Sequence, residues 1–380
     1  MYYFDNAATS FPKPQKVYDK MLEAMKEYGA NPGRSGHKLA LRAGREIFNT
    51  RQLLSELFGI GDPLDIAFTF NFTESLNIGI QGILKPGDHV VTTSMEHNSV
   101  LRPIKALERY GVEHTIVWAD EKGRLTKEGI EAAIKQNTAL IVMTHMSNLL
   151  GTIMPISDVG MLARSKGIPF LVDAAQSAGV VSIDVDRDNI DILAFPGHKG
   201  LFGPQGTGGI YVRKGISLEP LTYGGTGSAS YSMIQPEIMP DMLESGTPNA
   251  PGIAALGEGI QFIKETGLMK IRRHEEDLLQ HFLEEAKHIE GIKIYGPGNT
   301  VEQVGVASFN FRDMDSSHLA YILSEEYEIL ARPGLHCAPL AHETIGTTEQ
   351  GAVRFSFGIF NDHNEIESAI KALREISRQI

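Results

Sequence analysis

Two short apolar runs between residues 168 and 214 constrain the fold of this chain more than any other feature. The runs are IPFLV and DILAF, and a third run, GIYV, follows after a glycine-rich turn. Runs of this kind are typical of buried strands in an α/β sheet, whose strand ends usually carry the chemistry. The first run is followed by Asp173 and Gln176, and the second by Gly197, His198 and Lys199.

Lys199 is the first catalytic candidate, because burial would lower the pKa of its amine and free it to attack carbonyl carbons. Asp173, at the neighbouring strand end, is suited to keep the pyridine nitrogen of pyridoxal phosphate protonated while a lysine binds the aldehyde. Each residue also has a plainer interpretation: Asp173 as a helix N-cap and Lys199 as a solvated loop lysine. Their joint occurrence favours a pyridoxal phosphate site.

The motifs of this region are D-x-A-Q, a strand ending in G-H-K, and G-P-x-G-x-G. Together they resemble the class V aminotransferase family, in particular its cysteine desulfurase and selenocysteine lyase branch. Several separated motifs carry the resemblance almost from end to end, which makes it more specific than a single glycine pattern. It implies a fold-type I pyridoxal phosphate enzyme: an α/β protein with a mainly parallel sheet in a large domain and a smaller α+β domain.

The length of 380 residues also favours a large domain with a smaller one. With the resemblance, it predicts a large domain at 15–264 and a small domain formed by 1–14 and 265–380. The net charge of −12 argues against a nucleic-acid or anionic-membrane partner. No apolar run has the length of a membrane-spanning helix, and the opening MYYFDNAATS lacks a signal-peptide pattern, so we expect a cytoplasmic protein.

Strand-like and helix-like segments alternate through the first part of the chain, which predicts a parallel sheet covered on both faces. The segment 15–29 has the pattern of an amphipathic helix. Thr126 and Ser157 precede or begin helical patterns and are expected to be N-caps. The amphipathic face of the first helix is predicted to consist of Val17, Met21, Leu22 and Met25.

Two helix starts are candidate cofactor contacts. Thr73 lies in the first turn of a helix that follows the strand DIAFTF, where free N–H groups and the helix dipole favour a phosphate. A capping box would explain the same residues, and the resemblance favours the phosphate. His97, in MEHNS, matches the family histidine that stacks on the pyridine ring, with proton transfer as a further role.

The resemblance assigns three further contacts. Gln176 and His198 would bind the cofactor beside Asp173 and Lys199, and Asn148 of the SN-x-x-GT motif would lie next to the cofactor and the substrate carboxylate. Thr247, in ESGTPN, matches a threonine that reaches the phosphate in the partner subunit, so a homodimer is implied by the resemblance. The same family likeness places the turn with Arg34 and His37 near the active-site mouth.

One position departs from the family. Related desulfurases commonly have a serine two residues before the histidine of G-H-K, where its hydroxyl helps to hold the phosphate. Pro196 stands there in this chain and offers neither a hydroxyl nor an amide donor. Phosphate binding must then depend more on Thr73, His198, backbone amides and the second subunit.

Cys337 is the single cysteine, which excludes an intramolecular disulfide and leaves a buried small residue or a reactive thiol. Its surroundings, R-x-G-x-H-C-A, resemble the short-loop desulfurases, whose cysteine attacks the substrate sulfur or selenium. Arg354, in V-R-F-S, matches the family arginine that binds the substrate carboxylate with two donors. A zinc site with His336, Cys337 and His342 would need a fourth ligand and is disfavoured.

The sequence therefore predicts a pyridoxal phosphate enzyme that converts L-cysteine to L-alanine, with Lys199 or His97 moving the α-proton and Cys337 accepting the sulfur. A selenocysteine lyase is the alternative within the same branch. An aminotransferase or other lyase with an incidental Cys337, and a catalytically silent scaffold or sulfur-relay partner, also stay open. A sulfur or selenium acceptor must complete the cycle, and the sequence does not identify it.

Overall fold

The computed structural model describes residues 1–33 and 36–379, so Arg34 lies outside the described residues. Within them, the chain forms a seven-stranded sheet, a three-stranded sheet and a two-stranded one. The strands are β1 (Tyr2–Tyr3), β2 (Ile66–Thr69), β3 (His89–Thr93), β4 (Glu113–Val117), β5 (Thr138–Thr144), β6 (Phe170–Asp173), β7 (Ile192–Pro196), β8 (Gly208–Val212), β9 (Ile292–Tyr295), β10 (Val306–Phe311), β11 (Ile329–Leu330) and β12 (Val353–Ser356).

Helices separate most of these strands, as the alternating pattern predicts. The longest of them, α2, ends at Gly59, whose backbone has the left-handed conformation. The helices are α1 (Gln15–Glu27), α2 (Lys38–Phe58), α3 (Phe72–Ile83), α4 (Asn98–Leu107), α5 (Lys127–Ala133), α6 (Ile156–Lys166), α7 (Ala250–Thr266), α8 (Leu268–Ala286), α9 (Ser316–Tyr327), α10 (Pro339–Thr344) and α11 (His363–Gln379).

The seven-stranded sheet has the order β2-β8-β7-β6-β5-β3-β4. Its strands from β3 to β7 run parallel, whereas β8 lies antiparallel to both β2 and β7. Asp173, the last residue of β6, pairs in register with Ala194 of β7. Since β7 ends at Pro196, Asp173 and Lys199 lie at the same edge of the sheet, on adjacent strand ends. The predicted α/β fold with a mainly parallel sheet is confirmed.

Both faces of this sheet are buried, because side chains alternate between two apolar clusters along each central strand. In β5, Leu140 and Val142 face the cluster that includes α3 and α4, whereas Ile141 and Met143 face the cluster that includes α2, α6 and α7. β6 and β7 alternate in the same way. The sheet is thus held between two helical layers, as predicted.

A separate apolar cluster surrounds the three-stranded sheet β12-β10-β9 and the helices α8, α9 and α11. The first residues of the chain join it: Phe4 is buried there, and β1 pairs with β11. The division into a large domain at 15–264 and a small domain of 1–14 and 265–380 stays a prediction, because the cluster of the large sheet also includes Ile271 and Ala341.

Local expectations differ from the structure at three places. Leu22 and Met25 of α1 are exposed, although the sequence placed them on the buried face with Val17. Ser157 is not an N-cap, because α6 begins one residue earlier and the Ser157 hydroxyl donates to Asp188. The sequence analysis also missed α10, which begins two residues after Cys337. Thr126, in contrast, caps α5 as predicted.

Two glycines allow the segments that follow Asp173 and Lys199 to pack directly against each other. A Cβ on Gly200 would lie 2.4 Å from the carbonyl oxygen of Ala178. Gly179, which has a left-handed φ of 85°, would place a Cβ 2.2 Å from the carbonyl oxygen of Gly200. Neither backbone can approach its neighbour this closely with a side chain present.

We therefore predict that Gly200→Ala lowers the free energy of unfolding by about 1–3 kcal/mol, because the new methyl group overpacks a backbone contact. Gly61→Ala is the matched control, since a Cβ there meets nothing within 4 Å and should change stability by less than about 0.5 kcal/mol. Urea unfolding of both variants measures the difference. Equal stabilities would show that this contact between the two segments is not needed.

Candidate active site

Asp173, which is buried, and Lys199, which is half-buried, form the centre of the site. The Asp173 carboxylate accepts a hydrogen bond from the backbone N–H of Ala175 at 2.7 Å, which fixes its orientation. Burial lowers the pKa of Lys199, and the cations Arg354 and Arg332 lower it further, while Asp173 opposes the shift. Burial likewise raises the pKa of Asp173. The arrangement makes the amine of Lys199 easier to deprotonate than a solvated lysine, as the sequence predicted.

A cavity beside Lys199 brings five of the ten predicted site residues together. The rest of its wall is formed by Phe72, Thr144, Met146 and Ala175. The predicted residues in this wall are His97, Asn148, Asp173, Gln176 and Lys199. Gln176 is held there by a hydrogen bond from its side-chain amide to the carbonyl oxygen of Ala7.

His97 is oriented by the start of α4. Its Nδ1 accepts a hydrogen bond from the backbone N–H of Ser99 at 3.0 Å, so His97 is the N-cap of this helix. The Ser99 hydroxyl also lies 2.9 Å from the hydroxyl of Thr73 in the first turn of α3. Burial, and after it the charge of Lys199, lowers the pKa of His97 to about 4. A neutral imidazole therefore faces the cavity at neutral pH.

The peptide carbonyl between His198 and Lys199 is a focus of hydrogen bonds. The oxygen of His198 accepts from the Thr9 hydroxyl at 3.0 Å, the Ser10 backbone N–H at 3.2 Å and the Lys13 ammonium at 3.1 Å. The His198 ring bonds Thr9 through Nδ1 at 3.1 Å. The N-terminal segment thus fixes the backbone from which Lys199 projects.

Arg354 is completely buried and is held from two sides. Its Nη2 donates to the carboxylate of Asp5 at 2.8 Å, and its Nη1 donates to the carbonyl oxygen of Asn148 at 2.8 Å. Its Nε is buried without a hydrogen-bond partner among the described residues. Burial lowers the pKa of Arg354 to about 10, so the guanidinium is still charged at neutral pH. The Nε–H of a charged guanidinium is therefore unsatisfied by the described residues.

Asn148 links Arg354 to the loop that carries the thiol. Its side-chain amide donates to the carbonyl oxygen of His336 at 2.8 Å, while its Oδ1 is buried without a partner among the described residues. The next carbonyl along the loop, that of Cys337, accepts from the backbone N–H of Asn98 at 2.7 Å. The loop is therefore tied to the β5 end and to the start of α4.

Cys337 is exposed at the tip of this loop, and its Sγ lies 3.6 Å from Nη2 of Arg332. Thr247, the predicted contact to the phosphate in the partner subunit, lies on the surface and accepts a hydrogen bond from Asn31. It does not line the cavity beside Lys199. Pro196 ends β7 opposite Gly208 and is buried.

Sequence reasoning missed four residues that shape the site: Asp5, Lys13, Glu96 and Arg332. Asp5 and Lys13 act on residues far along the chain, so no local pattern could reveal them. Arg332 stands inside the quoted R-x-G-x-H-C-A motif and was identifiable from it. Glu96 precedes His97 in MEHNS, and no local pattern indicates that its carboxyl group is buried.

Glu96 is a fully buried carboxyl group behind the site. Its Oε1 accepts from the Thr93 hydroxyl at 2.6 Å and from the Thr144 backbone N–H at 3.0 Å. Its Oε2 has no partner among the described residues. Burial, with Asp173 nearby, raises the pKa of Glu96 to about 8. The carboxyl is thus protonated at neutral pH, which leaves Asp173 as the anion beside Lys199.

The residues at this edge fit a phosphorylated aldehyde cofactor. An amine of lowered pKa, that of Lys199, can bind the aldehyde carbon, and the buried carboxylate of Asp173 can pair with a protonated ring nitrogen. The first-turn N–H groups of Phe72 and Thr73 have no intrahelical partner, so the start of α3 can accept a phosphate. The aldehyde, the ring nitrogen and the phosphate of such a cofactor would each meet a protein group of suitable chemistry.

Comparison with known proteins agrees with this geometry. The sequence model of the family "Aminotransferase class-V" matches residues 2–368, and the chain belongs to that family. A probable cysteine desulfurase of Methanothermobacter thermautotrophicus is 36% identical, covering 99% of this chain and 94% of the relative. The cysteine desulfurase of Haloferax volcanii is 32% identical, and the alignment covers 98% of this chain and 89% of that relative.

A solved structure of a cysteine desulfurase is also similar to this chain. The apo cysteine desulfurase of Thermococcus onnurineus NA1 superposes with a TM-score of 0.94 at 34% identity, covering 100% of this chain and 95% of that one. The family and the fold-type I architecture expected from the sequence are confirmed. No helix among the described residues is both long and apolar enough to cross a membrane.

The buried Glu96 should make the free energy of unfolding depend on pH. Because its folded-state pKa lies above the unfolded value, its stabilising effect is present below the unfolded pKa and is lost as the pH rises toward 8. Glu96→Gln stays neutral, so its stability relative to the parent should rise between pH 5 and 8 by on the order of 1 kcal/mol per pH unit. Urea unfolding at both pH values measures it. A constant difference would show that Glu96 is ionised in the folded protein.

Proposed function

We propose that this protein is a pyridoxal phosphate-dependent cysteine desulfurase that converts L-cysteine to L-alanine and leaves a persulfide on Cys337. The observation that supports it best is the loop of Cys337 tied by Asn148 to the buried Arg354, next to the Lys199 cavity. The net reaction moves one sulfur atom from cysteine to the Cys337 thiol. A sulfur acceptor would then restore the thiol.

We infer that pyridoxal 5'-phosphate is the cofactor, held by Lys199 at the aldehyde, Asp173 at the ring nitrogen, and Thr73 and His198 near the phosphate. When bound, it supplies an electron-withdrawing ring that stabilises negative charge at the substrate α-carbon. His97, neutral and fixed through Nδ1, would stack on the ring, and Gln176 would be a further contact of the cofactor. The family resemblance implies both roles, and the cavity that these residues share with Lys199 supports them.

Arg354 and Asn148 are the proposed substrate-binding residues. The unpartnered Nε of Arg354 and the charge of its guanidinium would attract the carboxylate of the amino acid. Asp5 neutralises part of that charge before substrate binds, because it accepts from Nη2. A carboxylate that binds here must therefore compete with Asp5 or share the guanidinium with it.

The proposed reaction has two steps, removal of the α-proton of the substrate and transfer of its sulfur atom. The Lys199 amine, with its lowered pKa, can take the α-proton of the substrate, and His97 is the second candidate. The Cys337 thiolate then attacks the substrate sulfur; an S–S bond forms as the bond between sulfur and the β-carbon breaks. Arg332 contacts Sγ of this thiol at 3.6 Å.

The experiment is a product assay with L-cysteine and L-selenocysteine on the parent, Lys199→Ala and Cys337→Ala. The parent should form alanine from cysteine. Lys199→Ala should lose the visible absorption band of the bound cofactor and all turnover. Cys337→Ala should keep that band but lose alanine formation from cysteine, because the thiol accepts the sulfur.

Two outcomes would contradict the proposal. Alanine release from cysteine by Cys337→Ala at the parent rate would make the thiol incidental and assign the protein to another reaction of the family. Parent activity of Cys337→Ala on selenocysteine, with none of the parent on cysteine, would identify a selenocysteine lyase instead. Absence of the absorption band in the parent would favour a scaffold.

We also infer that the protein is a homodimer, in which Thr247 serves the partner's site. Thr247 is exposed and lies outside the Lys199 cavity of its own chain. Apolar side chains of α1, α2 and the loop around Thr247 are exposed to an unusual extent, which favours a covering partner. They are Leu22, Met25, Leu41, Phe48, Tyr231, Met233 and Ile234.

Sedimentation and cofactor titration test this inference together. We expect the mass of two chains, and we expect Thr247→Val to weaken pyridoxal phosphate binding by about tenfold, since it loses a hydrogen bond to a charged group. Thr226→Val is the control, because Thr226 lies, partly exposed, in the segment that precedes Thr247 and its hydroxyl bonds Ser228. A monomer, or equal cofactor affinity in both variants, would contradict the inference.

A further inference from the structure

The thiol loop has an unfavourable backbone at its tip. His336 and Cys337 have φ angles of 51° and 56°, and both lie in the left-handed region that residues with a Cβ rarely adopt. Two such residues in sequence need support from their surroundings. The backbone carbonyls receive it from Asn148 and Asn98, as described above, but the side of the loop away from the cavity needs a separate support.

That support is a hydrogen-bonded chain of three buried side chains. His336 Nε2 lies 3.0 Å from the carbonyl oxygen of Arg332, and His336 Nδ1 lies 3.2 Å from His342 Nε2. His342 Nδ1 then lies 2.7 Å from the hydroxyl of Thr347. The two imidazole rings are stacked, with an interplanar angle of 6°.

Only one arrangement of protons satisfies this chain. A carbonyl oxygen can only accept, so His336 carries its proton on Nε2 and accepts at Nδ1. His342 must therefore donate from Nε2, and its Nδ1 accepts from the Thr347 hydroxyl. All four ring nitrogens are used, so neither histidine has a lone pair free for a metal.

The chain holds only while both rings are neutral. Burial lowers the pKa of His336 well below its usual value, and the nearby cations Arg354 and Arg332 lower it further. Burial lowers the pKa of His342 to about 4. The proton arrangement therefore stays constant over the pH range in which a cysteine thiol titrates.

We propose that His336, His342 and Thr347 are positioning residues that hold the Cys337 thiol beside Arg332 and so set its reactivity. The chain begins at the carbonyl of Arg332 itself, so it fixes the residue that contacts Sγ as well as the loop that carries it. The importance of this positioning for catalysis rests on the proposed desulfurase function. The effect of the positioning on the reactivity of the thiol is independent of that function.

The test is the pH dependence of iodoacetamide alkylation, which reports on Cys337 alone because the chain has one cysteine. Thr347→Val removes the last donor without changing the shape, and His342→Phe keeps a stacked ring without its nitrogens. Thr347→Ser restores the hydroxyl. Thr344→Val is the matched control, because Thr344 lies in α10 and bonds Ser94 and Leu340 outside the chain.

In Thr347→Val and His342→Phe the alkylation midpoint should rise by about half a pH unit, which slows the reaction at neutral pH about threefold. Desulfuration should lose roughly tenfold in kcat with KM unchanged within about twofold, since the thiol is misplaced after substrate has bound. Thr347→Ser and Thr344→Val should behave like the parent. Cofactor absorbance should be the same in all variants.

A parent-like alkylation midpoint in both Thr347→Val and His342→Phe, with cofactor absorbance retained, would overturn the proposal. So would equal changes in Thr347→Val and Thr344→Val, because the effect would then be general to this segment. Alkylation needs no turnover. If the protein failed to desulfurate cysteine, the midpoints would still decide the positioning role while the proposed function failed separately.

Discussion

The placement of the half-buried Lys199 side chain next to the buried Asp173 carboxylate is the constraint on which the rest of the site depends. Parallel strands β6 and β7 bring the two residues to one edge of the sheet, between the apolar layers that cover its two faces. In that environment the ammonium of Lys199 or the carboxylate of Asp173 would be unfavourable alone, whereas together the two opposite charges stabilise each other. Protonation of Glu96 keeps a second negative charge from adding to Asp173.

The site is assembled from distant parts of the chain. Asp5 and Asn148 both bind Arg354, so the first residues, the end of β5 and β12 meet at one guanidinium. The same Asn148 holds the loop of Cys337. A change in the relative position of the two apolar cores would therefore alter the anion site and the thiol together, which provides a physical route from substrate binding to thiol placement.

Sequence reasoning could identify residues whose signal is local. Lys199 and Asp173 follow apolar runs, Thr73 begins a helix, and Cys337 stands in a recognisable motif. It could not foresee the pairing of Asp5 with Arg354, since the two are 349 residues apart. It also misjudged Leu22 and Met25, because periodicity shows that a face is apolar and not what covers it.

The central claim is that sulfur from cysteine passes to Cys337 by chemistry centred on Lys199. Intact-mass measurement after a single turnover with L-cysteine, without an added acceptor, tests it most directly. The parent should gain one sulfur atom on Cys337 for each alanine formed, and Lys199→Ala should gain none. Alanine formed without any sulfur on Cys337 would contradict it.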